Sequence, residues 1–332
     1  MMPDLLFLAT LVGGVLRATT PLLFAALGGL VSELAGSINI ALEGMMLVAA
    51  FFGVIVSAFS PHWFPDAPLW LHAWVGCAAG LAAALSLAGL LAVFHLELGA
   101  DLILAGIGVN LLAQGLTVFL LVAITGDKGS TAGLASFAMP SLHIPLVDAV
   151  PVLGPLVNGD GLGGQSILVY GAFLAVLLLW FLLHRTVFGL HLRAAGESSD
   201  AALSAGLSVK RLRYAGLLSS GLLAGFGGIF LSMGYLTLFQ ADMVAGRGFL
   251  ALAAVFLGAR RPVGILAACL LFGAAEMVAA QLGLYVPSQV VFMVPPIVTI
   301  AALLLFNLRR CRVERRRTAI ALTALFQTRI LE

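Results

Sequence analysis

Four ionisable side chains, Arg17, Glu43, Arg247 and Glu276, fall inside long apolar runs. A charge placed there costs about 2.5–3.5 kcal/mol on insertion scales, so each demands a partner or a wet cavity and marks a candidate solute path. Glu43 is the foremost of them. Read as helix, Asn39 lies one turn earlier on its face, and Gly44 lets a neighbouring backbone come close. The competing role for Glu43 is a structural salt bridge, for instance to Arg17. Arg247, flanked by Gly246 and Gly248 at the outer entrance of a short apolar run, can orient a solute hydroxyl or snorkel to the interface. Asn110 and Gln114, one turn apart, can hydrogen-bond a solute, although bridging two helices at about 0.6 kcal/mol each is the favoured reading. Glu276, with Gln281, completes the set near the outer end of its run.

Covalent chemistry has no comparable support. Neither lysine, Lys128 nor Lys210, stands in a Gly-Lys-Ser/Thr phosphate loop, so ATP is not expected to bind in that way. The six histidines form no His-Glu-x-x-His, and there is no Gly-x-Ser-x-Gly elbow. Cys77, Cys269 and Cys311 lack metal or disulfide spacing and read as small packing residues. The expectation is a chain that is not an enzyme and needs no cofactor or metal.

The elements that must carry these residues follow from composition. Hydrophobic residues make up 61% and charged residues 10% of the chain, against about 45–50% and about 25% in soluble domains. Backbone polar groups in hydrocarbon must pair internally, so long apolar runs mean helices. Nine candidate spans result, at 5–31, 38–59, 69–94, 102–124, 166–184, 214–236, 243–259, 263–282 and 290–308. The fold class is therefore all-α, a polytopic membrane protein, with a transmembrane domain over 1–308 and a basic tail over 309–332. No cleavable signal peptide is expected, because the first run lacks a basic leader.

Basic residues orient the spans. Of the 17 lysines and arginines, 14 fall in the loop 185–213, at Arg260 and Arg261, or in the tail. The positive-inside rule puts all three segments, and the C-terminus, in the cytoplasm. Nine spans then leave the N-terminus and the Gly- and Pro-rich segment 125–165 outside, the latter as an external landing surface. Gly28-Gly29 followed by INIALEG and MMLVAAFFG is echoed by Gly227-Gly228, MVAGRG and FLALAAVFLG. This suggests an inverted repeat of four spans plus four, joined by 166–184, as alternating-access carriers use. Chance likeness between Ala/Gly/Leu-rich helices is the competing reading.

The loop reads GLHLRAAGESSDAALSAGLSVKRLR from Gly189 to Arg213. Ser198 or Ser199 can cap a short helix with Asp200 in its first turn, and Gly206 can stop it in a left-handed conformation. Such a helix is either a solvated connector or a handle by which a soluble partner tilts the flanking spans. The loop resembles the coupling helix of permease subunits in binding-protein-dependent ABC importers of the ribose and nucleoside class. SELAGSINIALEGMM (32–46) resembles that class's Asn-Ile-Gly-x-Glu-Gly signature, MVAGRGFLALAAVFLGARRPVG (243–264) its Gly-x-Gly-Phe-x-Ala-Leu-Ala signature, and PSQVVFMVPP (287–296) its last-span entry. The likeness covers about residues 20–308. It departs at Leu34, Ala41, Ser198-Ser199 and Pro296, where Arg, Gly, Asn-Pro and Tyr are common.

The resemblance implies a permease subunit in the bacterial cytoplasmic membrane that moves a nucleoside or simple sugar. It implies an ABC ATPase gripping Glu197, Asp200, Ala202, Leu203 and Gly206, a second permease that is a paralogue, a periplasmic or lipoprotein receptor, and no nucleic acid. Branched-chain amino acid permeases are the alternative within the class, with the Glu-Gly after Asn-Ile against them. A proton- or sodium-coupled carrier using Glu43 and Glu276 is the alternative outside it, and an intramembrane enzyme a remote third.

Overall fold

The computed structural model describes residues 2–143, 158, 164–283, 294 and 296–304. Met1–Val278 forms one compact unit and Ala279–Glu332 a second. Ten helices are bounded among the described residues: α1 (Met2–Leu34), α2 (Leu42–Trp63), α3 (Leu69–Leu96), α4 (Leu102–Thr125), α5 (Ile167–Arg185), α6 (Val187–Glu197), α7 (Ser199–Ser204), α8 (Val209–Ile229), α9 (Arg247–Leu257) and α10 (Pro262–Leu282). Seven of them are long and apolar enough to cross a membrane.

Local chemistry sets the ends. Asp101 caps α4 by accepting the N–H groups of Ile103 and Leu104, both at 3.0 Å, and Gly126 closes it in the left-handed region at φ 72°. Close packing comes from glycine rather than from bulk: Gly76 and Gly80, one turn apart on α3, lie against the backbone of α2, and a Cβ on Gly80 would stand 2.5 Å from the Ala49 carbonyl oxygen. On α1, a Cβ at Gly28 would stand 2.7 Å from the Ser220 carbonyl oxygen of α8. Small residues that let backbones meet are how helices associate where no hydrophobic effect separates them from lipid. Both glycine pairs of the suggested repeat lie at such contacts, Gly28 against the Ser220 carbonyl and Gly227 against that of Pro21. Outside the helices, Ser141–Leu142 pairs antiparallel with Gln165–Ser166, and Ser130 bridges Gln240.

Three expected spans are redrawn. The second begins at Leu42 rather than 38, because 35–41 is not helical. The sixth starts earlier, at Val209, and its last turn, Phe230–Tyr235, opens into a π-helix. The expected span 243–259 is the 11-residue α9, which at 1.5 Å per residue reaches about 16 Å, half of a hydrocarbon core. Thr237, Asp242 and Ala245 hold positive φ before it, and Ala259 and Arg260 after it. Left-handed backbone on both flanks is what stops the helix short of a span. The proposed repeat copies are thus unequal, since α2 has 22 residues where α9 has 11. Of the expected span 290–308, residues 296–304 are helical; most of segment 125–165 beyond His143 and the tail 309–332 lie outside the described residues.

Candidate functional site

Two interruptions of helix meet at one place. The first is the 35–41 break between α1 and α2, which is buried at Ala35, Ser37, Asn39 and Ala41. Buried irregular backbone must find internal partners, and three side chains supply them. Ser32 Oγ accepts the Asn39 N–H at 3.2 Å. Asn39 Oδ1 accepts the Ala41 N–H at 2.9 Å, while its Nδ2 donates to Ser220 Oγ of α8 at 2.9 Å. Asn110 reaches over from α4, donating Nδ2 to the Ile40 carbonyl at 3.0 Å and accepting the Gly44 N–H at 2.8 Å. A Cβ on Gly44 would stand 2.9 Å from the Ala113 Cβ and 3.0 Å from Asn110 Oδ1. Gly44 therefore admits α4, as its lack of a side chain suggests.

Asn39 is not one turn before Glu43 on a shared helical face. The helix has not begun at residue 39, and the side chain turns to Ser220 and Met45. Asn110 bridges helices, the role favoured for it above, and Gln114, one turn on, is exposed.

The second interruption is the turn 236–246 ahead of α9. The first N–H groups of a helix have no partner inside it and carry the positive end of its dipole. Glu43 fills that position from α2: Oε1 accepts the Gly246 N–H and Oε2 the Gly248 N–H, each at 2.7 Å. A Cβ on Gly248 would stand 2.5 Å from the Glu43 backbone nitrogen, so only glycine lets the two helix starts touch. Arg247 between them turns away, its Nη1 on the Met243 and Val244 carbonyls at 3.1 and 3.2 Å and its Nη2 in an ion pair with Glu276 Oε1 of α10. The site residues Asn39, Glu43, Gly44 and Asn110 are thus one cluster, and Arg247 with Glu276 borders it through α9. Arg17 donates Nε to the Gly13 carbonyl of its own helix at 3.4 Å.

Ser32, Ser220 and the Glu33–Arg260 pair were not singled out from sequence. Glu33 Oε1 accepts Arg260 Nε at 2.8 Å and ties the end of α1 to the turn after α9. The spacing of Asn39 and Ser32 across the Ala35-Gly36 dipeptide was the available signal, since Gly36 at φ 80° marks a helix end.

At the basic end, α7 is the capped helix expected from Gly189–Arg213. Of the two candidate serines, Ser198 is the cap, its Oγ accepting the Ala201 N–H at 3.3 Å. Gly206, at φ 81°, donates to the Leu203 carbonyl at 2.9 Å, and Leu207 to that of Ala202 at 3.0 Å. This pair of bonds closes a helix C-terminus. One expectation fails: Ala202 does not face out with Leu203. It is buried against Ala195 and Val209, with Leu207 and Leu212 packed around them, whereas Leu203 is 57% exposed. Glu197 and Asp200 are exposed. Preceding α7, α6 runs back to the helix break, where Gly196 lies against the Leu34 carbonyl and the Gly36 nitrogen, leaving no room for a side chain.

A half-length helix pinned against a helix break, with the end of α6 packed on that same break, is an arrangement that transporters use. Residues 11–303 match the family model described as branched-chain amino acid transport system / permease component. The chain belongs to this permease family. The permease is 34% identical to the guanosine ABC transporter permease protein NupQ of Bacillus subtilis, over 89% of this chain and 91% of that one. It is 33% identical to the nucleoside ABC transporter permease protein NupC of Lactococcus lactis (90% and 92%), and 34% identical to the putative glucose ABC transporter permease protein TsgC13 of Haloferax volcanii (80% and 76%). The two bacteria also hold a second matching permease each, NupP and NupB, at 27% and 25% identity to this one. No solved structure matches the permease significantly.

Proposed function

We propose that the permease forms half of the pathway by which an ABC importer takes up a nucleoside. The observation that carries this reading is the charge balance around the helix breaks. An anionic solute would be drawn to the exposed N–H groups and positive dipole end of α9. Glu43 already holds that end, and Arg247 is committed to Glu276 and two carbonyls. Among the described residues this leaves a polar setting with no uncommitted cation beside it, suited to hydroxyl and ring-nitrogen groups rather than to the carboxylate of an amino acid. The likeness to guanosine and nucleoside permeases over nine tenths of the chain supports the same choice over branched-chain amino acids.

The partners follow from the same reading. A separate ATPase grips Glu197 at the end of α6 and the exposed side of α7 at Asp200 and Leu203, a receptor delivers solute to the 125–165 side, and the second permease is a paralogue, as the paired relatives suggest. The C-terminus lies in the cytoplasm of a bacterial inner membrane. Competition in uptake tests the solute: excess unlabelled nucleosides should abolish uptake of labelled guanosine by the assembled importer, while leucine and glucose leave it unchanged. Equal competition by leucine would return the permease to the amino acid branch.

A further inference from the structure

A pocket of about 490 Å³ opens at the basic end between α5, α6 and the turn joining α9 to α10. Its polar wall is cationic: Arg193, Arg260, Arg261 and His184 line it, beside Pro262 and Val263 at the N-terminal end of α10. Glu33 offsets one of these charges through Arg260. Arg193 spends Nε on the Gly189 carbonyl at 3.3 Å and keeps both Nη groups, and His184 spends Nδ1 on the Trp180 carbonyl at 2.9 Å and keeps Nε2. Among the described residues, about two positive charges and the dipole of α10 thus remain without an ion partner around this cavity. The turn that presents Arg260 and Arg261 is held in the left-handed region at Ala259 and Arg260, φ 52° and 59°, a conformation that side-chain-bearing residues rarely take and that often marks a functional turn.

The other wall is apolar and continuous with the membrane-facing surface. Trp180 lines the pocket at the end of a span, the level at which interfacial aromatics collect. Leu177 and Phe181, exposed on the same end of α5, and Val263 at the pocket itself extend that surface along two spans. We propose that this pocket seats the phosphate headgroup of an anionic phospholipid, phosphatidylglycerol or cardiolipin, with its acyl chains along α5 and α10. A soluble phosphate compound would use the arginines and leave the apolar wall bare, so the lipid fits both walls. The site borders α6, the turn after α9 and Leu34 at the end of α1.

The test adds defined lipid to the purified permease in detergent. Phosphatidylglycerol or cardiolipin should raise its melting temperature above that in phosphatidylcholine, and inorganic phosphate or glycerol phosphate should not. Each arginine close to a headgroup contributes roughly fivefold in affinity, so the double variant Arg193→Gln/Arg261→Gln should need about 30-fold more anionic lipid for the same rise. The double variant with lysine at both positions should retain most of it. A photoactivatable phosphatidylglycerol on the wild-type protein should label segments 177–193 and 259–263, which keeps the test open if the glutamine variant fails to fold. Stabilisation by phosphatidylcholine of equal size, an equal effect of inorganic phosphate, or labelling confined to other segments would each overturn the site.

Discussion

At the scale of single residues, Glu43 decides whether α9 has a beginning. Its two charge-assisted hydrogen bonds carry about 1.5–3 kcal/mol each and act on a helix dipole in low-dielectric surroundings. Glu43→Ala should therefore cost about 2–4 kcal/mol in thermal or denaturant unfolding of the purified permease, and abolish uptake. Glu43→Gln, which keeps one acceptor but turns an N–H toward another N–H, should cost about 1–2 kcal/mol. A variant pair that both retained wild-type stability would remove Glu43 from its capping role. Gly44→Val makes a separate prediction, because the added atoms meet Ala113 and Asn110 Oδ1. Pushing α4 away breaks both Asn110 bonds, so Asn110→Ala in the same background should add little further loss, a non-additivity that a double-mutant cycle measures. Which residues matter was readable from sequence, since a carboxylate or amide in an apolar run advertises itself by its cost. Their partners were not. Asn39 looked helical because Ile-Asn-Ile-Ala-Leu has no breaker, and it is the bonds to Ser32, Ser220 and Asn110 that give the irregular backbone its partners.

At the scale of elements, α7 separates cleanly into an inner and an outer face. Leu203→Asp puts a carboxylate on the exposed face, so the permease should fold normally and lose its ATPase on co-purification, by roughly 2–5 kcal/mol if the contact is desolvated. Ala202→Asp does the opposite, burying an unpaired carboxylate between Ala195 and Val209, and should show as poor expression of the permease itself. Gly206→Val forces a β-branched residue to φ 81° and should transport poorly while still binding the ATPase. The capped helix was readable because serine caps and glycine stops are local signals. The burial of Ala202 was not, since six residues of α7 are too few to show a periodic face. Half-helix α9 was misjudged as a span for a related reason: its apolar run is long enough by composition, and the strain at Asp242, Ala245, Ala259 and Arg260 that shortens it lies in dihedral angles. Beyond the end of α3, hydrogen bonds from Lys210 and Tyr214 hold the Glu97 carboxyl below the usual carboxylate range. With its folded value depressed, its contribution is present above the ordinary carboxylate value near 4.3 and is lost as pH falls through the folded one. Glu97→Gln should therefore lower stability slightly at neutral pH, match the wild type at pH below the folded value, and flatten the acid limb between the two.

At the scale of the whole molecule, orientation and energy source are linked, because the handle for an ATPase must lie on the side that holds ATP. Arg193, Arg260 and Arg261 line one pocket, so two of the three basic segments share a face. The end of α1 joins them there through Glu33 and Arg260. Counting charges thus anticipated a real spatial grouping, although the expected span 243–259 holds only the short α9. If that face is cytoplasmic, single cysteines at 193 and 310 should resist impermeant thiol reagents in intact cells, while cysteines at 148 and 160 are labelled. Labelling at 193 from outside would invert the permease and put α7 out of reach of any ATPase. The same geometry forecasts what drives transport. Glu43 is held by two N–H groups and Glu276 by a guanidinium, so the two carboxylates that a proton- or sodium-coupled carrier would cycle are occupied by fixed partners. Uptake by the assembled importer should consequently persist when the proton and sodium gradients are collapsed with ATP maintained. It should stop when the hydrolytic site of the partner ATPase is inactivated with both gradients intact. Accumulation of nucleoside by the permease alone in liposomes, driven by either gradient, would mean that Glu43 or Glu276 lets go of its partner during the cycle, and α7 would then be a connector and not a handle.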